Sequence, residues 1–158
     1  MKRSIKKVAV IGSGVMGSRI ACHFANIGVQ ALLLDIVPKE LRDDEKKKGL
    51  TLQDKAVRNR IVNEALTAAV KSNPAPLYDK AFISRVITGN LEDNIAEVAT
   101  CDWIIEAVSE NPAIKKVVYD NLQKFRKPGT LITSNTSGIP LHMLAQGITH
   151  IDLFTFDG

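Results

Sequence analysis

The chain has few cysteines, no long apolar run and no dominant charge, and each shortage removes a class of function. Its two cysteines, Cys22 and Cys101, show neither metal-ligand spacing nor a Cys-x-x-Cys pair. No metal site is expected; two buried, reduced thiols in a reducing compartment are. No apolar stretch approaches the ~20 residues a membrane helix requires. The basic start Met1-Lys2-Arg3-Ser4-Ile5-Lys6-Lys7 precedes an apolar run of only Val8 to Ile11, too short for a signal peptide. The expected location is the cytoplasm, with no membrane partner. The net charge is +4, from 21 basic and 17 acidic residues. Lys46-Lys47-Lys48 directly follows Asp43-Asp44-Glu45, so the stretch reads as a solvated face, and no nucleic-acid partner is expected. Repeats and low-complexity segments are missing too.

What is present suits one soluble domain: 158 residues, 45% hydrophobic and 24% charged. Lys7 to Ile11 is a short β-branched run, as a buried parallel strand should be. Gly12 to Gly17 follows, then apolar residues at helical spacing from Ser18 to Ile27, with Gly28 placed to end the helix. Ala31 to Asp35 reads as a second strand, completing a βαβ unit. A charged, helical stretch from about Lys39 to Ser72 ends at Asn73-Pro74-Ala75-Pro76. It is too long for a simple crossover, and a helical excursion from the sheet edge is expected. Further strands are expected at Ile83–Thr88, Asp102–Val108 and Thr130–Ser134. Helices are expected at Leu91–Ala99 (Asn90 as N-cap), Pro112–Lys127 and Ile139–Gln146. A sixth strand is expected within Ile148–Gly158. The alternation predicts an α/β fold: a Rossmann-like, doubly wound, mostly parallel sheet with a helical insert.

Gly12-Ser13-Gly14-Val15-Met16-Gly17 fits G-x-G-x-x-G. The first glycine permits the tight turn, the second lets backbone approach a pyrophosphate, and the third lets helix and strand pack closely. The helix N-terminus then aims unpaired N–H groups at the phosphates. Asp35 lies 18 residues after Gly17, near the ~20 expected of the acid that accepts from the adenine ribose. It would repel a 2′-phosphate, and Ile36 beside it is not the arginine that NADP sites favour. The constellation points to NAD as cofactor; a flavin or a purely structural turn are the alternatives.

In an open α/β sheet, ligands lie beyond the carboxyl ends of the strands. Two polar segments end strands there: Glu106-Ala107-Val108-Ser109-Glu110-Asn111, with Lys115 one turn into the next helix, and Thr133-Ser134-Asn135-Thr136-Ser137. Either is a natural ligand contact. Helix capping and a surface ion pair would explain the same residues.

V-A-V-I-G-S-G-V-M-G, L-L-L-D, W-I-I-E-A-V-S-E-N and S-N-T-S-G-I together resemble the 3-hydroxyacyl-CoA dehydrogenase family of fatty-acid β-oxidation, from about Lys7 to Gln146. The insert resembles that of large bacterial members with an enoyl-CoA-hydratase-like C-terminal part. The resemblance implies an NAD-dependent oxidoreductase acting on an acyl-CoA substrate. Gly12, Gly14, Val15, Met16 and Gly17 would hold the pyrophosphate. Asp35, with Ile36, would meet the adenosine. Ala107, Val108, Glu110 and Lys115 would line the nicotinamide-ribose side. Asn135 would sit near the nicotinamide and, with Ser137, serve the reacting substrate. In the family a histidine, oriented by a glutamate, is the general base on the 3-hydroxyl.

That histidine's H-F-F-N-P setting is missing after the S-N-T-S segment. His150 lies too close to Ser137, and His142 and His23 read as ordinary surface or packing residues. Residues 1–146 are expected to be the NAD-binding domain, with the insert at about 39–76, and 147–158 an atypical tail, as a shifted reading frame would leave. The C-terminal substrate and dimerisation domain is expected to be absent, so the chain should bind NAD yet turn over 3-hydroxyacyl-CoA poorly or not at all. An exposed sheet edge would favour a homodimer. A non-catalytic NAD sensor, and a dehydrogenase of the 3-hydroxyisobutyrate or 6-phosphogluconate type, are the other readings.

Overall fold

The computed structural model describes residues 4–145 and the backbone of 153–155. Six strands form one all-parallel sheet: β1 (Lys7–Ile11), β2 (Gln30–Asp35), β3 (Val86–Asn90), β4 (Trp103–Glu106), β5 (Leu131–Ser134) and β6 (Leu153–Thr155), in the order β3-β2-β1-β4-β5-β6. The chain moves outward from β1 to β3 and then crosses to β4 on the other side. The carboxyl ends of β1 and β4 therefore diverge into a crevice.

Side chains alternate between the two faces of each strand, and each face has its own core. Val8, Val10, Leu33 and Ile105 pack with Ala21, Cys22 and Ala25 of α1 (Val15–Asn26), and with Val62 and Leu66 of α4 (Arg60–Lys71). Ala9, Ile11, Leu32, Leu34 and Ile104 pack with Val118, Tyr119 and Leu122 of α5 (Pro112–Phe125). Each fully buried Val, Leu or Ile contributes roughly 1.5–3 kcal/mol. Both cysteines lie in these cores as free thiols, and burial pushes each thiol up.

The insert is not wholly an excursion. α2 (Asp43–Lys47) and α3 (Lys55–Arg58) are single turns, but α4 returns to the sheet and packs as the crossover helix beside α1. Asp43, Asp44 and the three lysines are exposed as expected of a solvated face. Glu45 instead turns inward and pairs with Arg60. The backbone N–H of Arg42, then Arg60, hold its carboxyl below the usual carboxylate range.

Two expected elements are displaced. Residues 83–85 belong to a 3₁₀ helix, Lys80–Arg85, and β3 runs only over Val86–Asn90. Asp79 caps that helix through the Ala81 N–H, and the Arg85 guanidinium donates to the Ala25 carbonyl at 2.7 Å, so Arg85 is spent tying down α1. A short apolar run cannot by its period tell strand from helix. The helix expected at Leu91–Ala99 is a turn followed by a 3₁₀ helix, Ile95–Thr100. The Asn90 side chain does accept two N–H groups, from Glu92 and Asp93, but it closes a turn with them rather than starting a helix. α6 is only Leu141–Leu144. Among the described residues no helix is long and apolar enough to cross a membrane, and no group of His, Cys, Asp or Glu could hold a metal ion.

Candidate functional site

A cavity of about 1160 Å³ opens at the carboxyl ends of the strands. Its floor is the turn between β1 and α1. Gly12 sits there at φ +99°, a left-handed conformation that favours glycine, and a Cβ on it would lie 2.6 Å from the Ala107 carbonyl oxygen. A Cβ on Gly17 would overlap the carbonyl oxygen of Gly12. Gly17 therefore acts by packing helix against strand, and it is not on the cavity wall. Gly14 is different: nothing lies within 4 Å of its Cβ position, which faces open space, and the residue lines the cavity. α1 has no side-chain cap, and its first carbonyl-bonded N–H is that of Ser18 on Gly14. The N–H groups of the turn before it are therefore available to an anion. Val15 and Met16 line the same wall, both exposed.

Asp35 stands at one end of the cavity. Its Oδ2 accepts from the backbone N–H and the hydroxyl of Ser13 at 2.6 and 2.5 Å, and its Oδ1 from the Ile36 N–H at 2.7 Å. A carboxylate offers about four acceptor positions, so one stays open to a ribose hydroxyl, and Ser13 Oγ can rotate to yield another. Ile36 is exposed beside it as an apolar wall. An open glycine at a bare helix N-terminus, with an acid one strand away, is what a dinucleotide with its pyrophosphate over the helix and its ribose on the acid needs.

The other end is built from the β4 and β5 termini. Ala107, Val108, Glu110 and Asn135 line it. Lys115 does not, which corrects its expected place on the nicotinamide-ribose side. It is 1% exposed, and its ammonium donates to both oxygens of Glu106, 0% exposed, at 2.8 and 2.9 Å. The ion pair with Glu110 is present as well, at 3.9 Å, but its lysine end is buried rather than on the surface. Glu106 also accepts from Val108 N–H, Tyr119 Oη and Ser134 Oγ. Burial, then the Glu106 charge, push the Tyr119 phenol up. The network ties the β4 loop to β5 directly beneath the cavity. Helix capping falls to Asn111, whose side chain accepts from Ala113 and Ile114 N–H.

Glu110 bridges the two loops above. It accepts from Thr136 Oγ1 at 2.7 Å and from Ser137 N–H at 2.9 Å, and these two bonds, in that order, hold its carboxyl below the usual carboxylate range. Ser137 is exposed at the rim, tied to the cavity through Glu110. A depressed folded-state value means that this latch stabilises the fold above the unfolded carboxyl value of about 4.3 and is lost as pH falls through the lower folded value. Glu110→Gln is expected to flatten part of the acid limb of a melting-temperature profile below about pH 4. An unchanged limb would show that the latch is not titrating there.

His23 and His142 are exposed on α1 and α6, and neither lines the cavity. His150 lies outside the described residues. Ser13 and Arg58 went unread in the sequence, and Glu106 was read only as part of a polar strand end. Ser13 is a variable position of the glycine motif and carries no local signal. Glu106 did carry one, an acid inside the apolar run W-I-I-E-A-V. Arg58, of α3, lines the cavity from the insert, where nothing in the sequence sets it apart.

The family model for the 3-hydroxyacyl-CoA dehydrogenase NAD-binding domain matches residues 7–156. A probable 3-hydroxyacyl-CoA dehydrogenase of Bacillus subtilis is 47% identical over 147 residues, which is 93% of this chain and 19% of that protein. A putative fatty acid oxidation complex trifunctional enzyme of Rickettsia felis is 36% identical over 94% of this chain and 19% of its own length. Among solved structures, 3-hydroxybutyryl-CoA dehydrogenase of Escherichia coli K12 superposes with a TM-score of 0.63 at 29% identity, covering 97% of this chain and 30% of that one. The chain thus spans about a fifth of the length of these two curated relatives.

Proposed function

The chain belongs to the 3-hydroxyacyl-CoA dehydrogenase family, as its NAD-binding domain, and from that premise we propose that it supplies the hydride-accepting half of the oxidation of 3-hydroxyacyl-CoA to 3-oxoacyl-CoA. Bound there, NAD would supply the nicotinamide ring as hydride acceptor. The residues of this chain hold and orient. Gly14 and the first turn of α1, with Val15 and Met16, receive the pyrophosphate, while Gly12 and Gly17 keep that turn closed. Asp35 accepts from the adenosine ribose, with Ile36 against the base. Ala107, Val108, Glu110 and Asn135 form the nicotinamide end, which Lys115 supports from below through Glu106. Asn135 and the Ser137 hydroxyl would bond the substrate's 3-oxygen. The observation that carries the reading is the open Gly14 at an uncapped helix N-terminus, with Asp35 at one end of the cavity and Asn135 at the other. The name of the Rickettsia relative supports fatty-acid oxidation as the setting.

The 3-hydroxyl proton needs a base. Among the described residues no histidine lines the cavity, and Glu110 is engaged by Thr136 and Ser137. The chain by itself therefore binds the cofactor and turns the substrate over poorly or not at all. Fluorescence titration is expected to show NADH binding, with NADPH at least about tenfold weaker, a difference of about 1.4 kcal/mol. NADH oxidation with acetoacetyl-CoA is expected to stay at background. Substantial turnover would overturn the absence of a base and make His150 and His142 the residues to replace. No NADH binding would overturn the whole reading.

A further inference from the structure

An arginine at the adenosine end of a dinucleotide cavity is the group that accommodates a 2′-phosphate. Arg58 lines the same cavity as Asp35, yet its Nε and Nη2 are already bonded. Nε and Nη2 bond both oxygens of Asp93 at 2.6 and 2.8 Å, and Nη2 also donates to Glu92 at 2.8 Å; the side chain is 15% exposed. The turn carrying both acids grows from Asn90, which pairs with Asp35 across the β2–β3 ladder. The Asn90 side-chain Oδ1 accepts the N–H groups of Glu92 and Asp93, and its Nδ2 donates to Asp93 Oδ2. Leu91 N–H in the same turn bonds the Asp35 carbonyl oxygen at 2.9 Å. One rigid turn thus positions the backbone of the ribose-binding acid and grips the nearby arginine.

We propose that Glu92 and Asp93 determine cofactor specificity by holding Arg58 in a neutralised, fixed pose that denies it to a 2′-phosphate. Arginine binds phosphate through paired N–H groups, and Asp93 occupies one such pair, Nε with Nη2, while Glu92 takes the second N–H of Nη2. A phosphate could reach that fork only by breaking a charge-assisted, two-pronged bond. It would then sit beside two released carboxylates as well as Asp35, and like charges at that range repel. Lys39, exposed on the same wall, leaves two cations against three carboxylates there. Asp35 alone excludes a 2′-phosphate by repulsion; the clamp adds the removal of the one arginine on this wall. The inference rests on the reading of the cavity as the NAD site.

The test is the ratio of NADPH to NADH dissociation constants, by fluorescence titration, in the unaltered chain, Glu92→Gln/Asp93→Asn, and that double variant carrying Arg58→Met. Asp35 is kept throughout, so its own repulsion cancels from the comparison. The double variant is expected to lower the ratio by about tenfold, as expected for removing two charges from a partly screened site. Arg58→Met is expected to abolish that gain. A ratio within about twofold of the unaltered chain, or a gain that survives Arg58→Met, would overturn the proposal. If Asp93→Asn disturbs folding, Glu92→Gln alone removes an acid that is 64% exposed, and a fall of about threefold is expected from it; no fall there overturns the proposal equally. Absence of NADH binding to the unaltered chain sinks the NAD reading first, and this inference with it.

Discussion

Gly14→Ala is expected to fold with an unchanged melting temperature and to lose NADH affinity by about 10- to 100-fold, the worth of one or two charge-assisted hydrogen bonds. Gly17→Ala, three residues on, is expected to lose about 3 kcal/mol or more of stability, the upper range for forcing atoms into a filled site. The reason is where each Cβ goes. At Gly14 the backbone has a negative φ that any residue tolerates, and the new methyl meets nothing in the protein. It fills only the space above the helix N-terminus, where a pyrophosphate must come within hydrogen-bonding distance of backbone N–H groups. At Gly17 the methyl would coincide with the Gly12 carbonyl oxygen. That atom cannot rotate away, because it shares a peptide plane with the Ser13 N–H, which donates to Asp35 Oδ2 at 2.6 Å. For a domain of this size the loss lowers the melting temperature by about 6–12 °C or more. Calorimetry and NADH titration on both variants separate the two roles. A Gly14→Ala chain that binds NADH as the unaltered chain does would refute the placement of the pyrophosphate.

Glu106→Ala is expected to cost about 3–5 kcal/mol, because it leaves the buried Lys115 ammonium with only the Val108 carbonyl oxygen at 3.4 Å and the Glu110 carboxylate at 3.9 Å. The corresponding fall in melting temperature is roughly 6–20 °C. The double variant Glu106→Met/Lys115→Met should recover most of this, since an apolar pair of similar length pays no desolvation of charge. Recovery will stop short of complete, because Tyr119 Oη, Ser134 Oγ and Val108 N–H each lose an acceptor. Thermal melts of the single and double variants decide the matter. A double variant no more stable than Glu106→Ala would mean that the stranded ammonium is not the source of the cost, and that the hydroxyl and N–H donors are. The network also sets the nicotinamide end in place. Ser134 Oγ, held by Glu106, receives the Thr136 N–H, and Asn135 lies between them on the cavity wall.

The βαβ unit from Lys7 to Asp35 was legible because everything that makes it is local. The β-branched run, the three glycines, the apolar spacing of the helix and the acid at the end of the next strand all fall within one stretch of chain. Each is chosen by a backbone or burial requirement that few residue types satisfy. The same holds for the helix from Pro112, where a proline in the first turn and an apolar stripe agree. Where such signals thin out, boundaries moved. Ile83 is a β-former, but its segment is closed into a 3₁₀ helix whose Arg85 anchors α1, and Asn90 closes a turn because Asn94 and Asp93 are there to meet it.

By itself the sequence determined the fold class, the cofactor, the family and part of the cavity wall: Gly12, Gly14, Val15, Met16, Asp35, Ile36, Ala107, Val108, Glu110 and Asn135. Only the tertiary structure decided what the charged residues among and behind them do. Lys115 faces inward to Glu106 rather than outward to the cofactor. Asp35 is held by Ser13, 22 residues earlier. Arg58 reaches the cavity from the insert and is gripped by acids 34 and 35 residues away. Backbone conformation and apolar burial leave marks on neighbouring residues. A charge is governed by whichever opposite charge the folded chain brings within a few ångströms, and no spacing in the sequence records that distance.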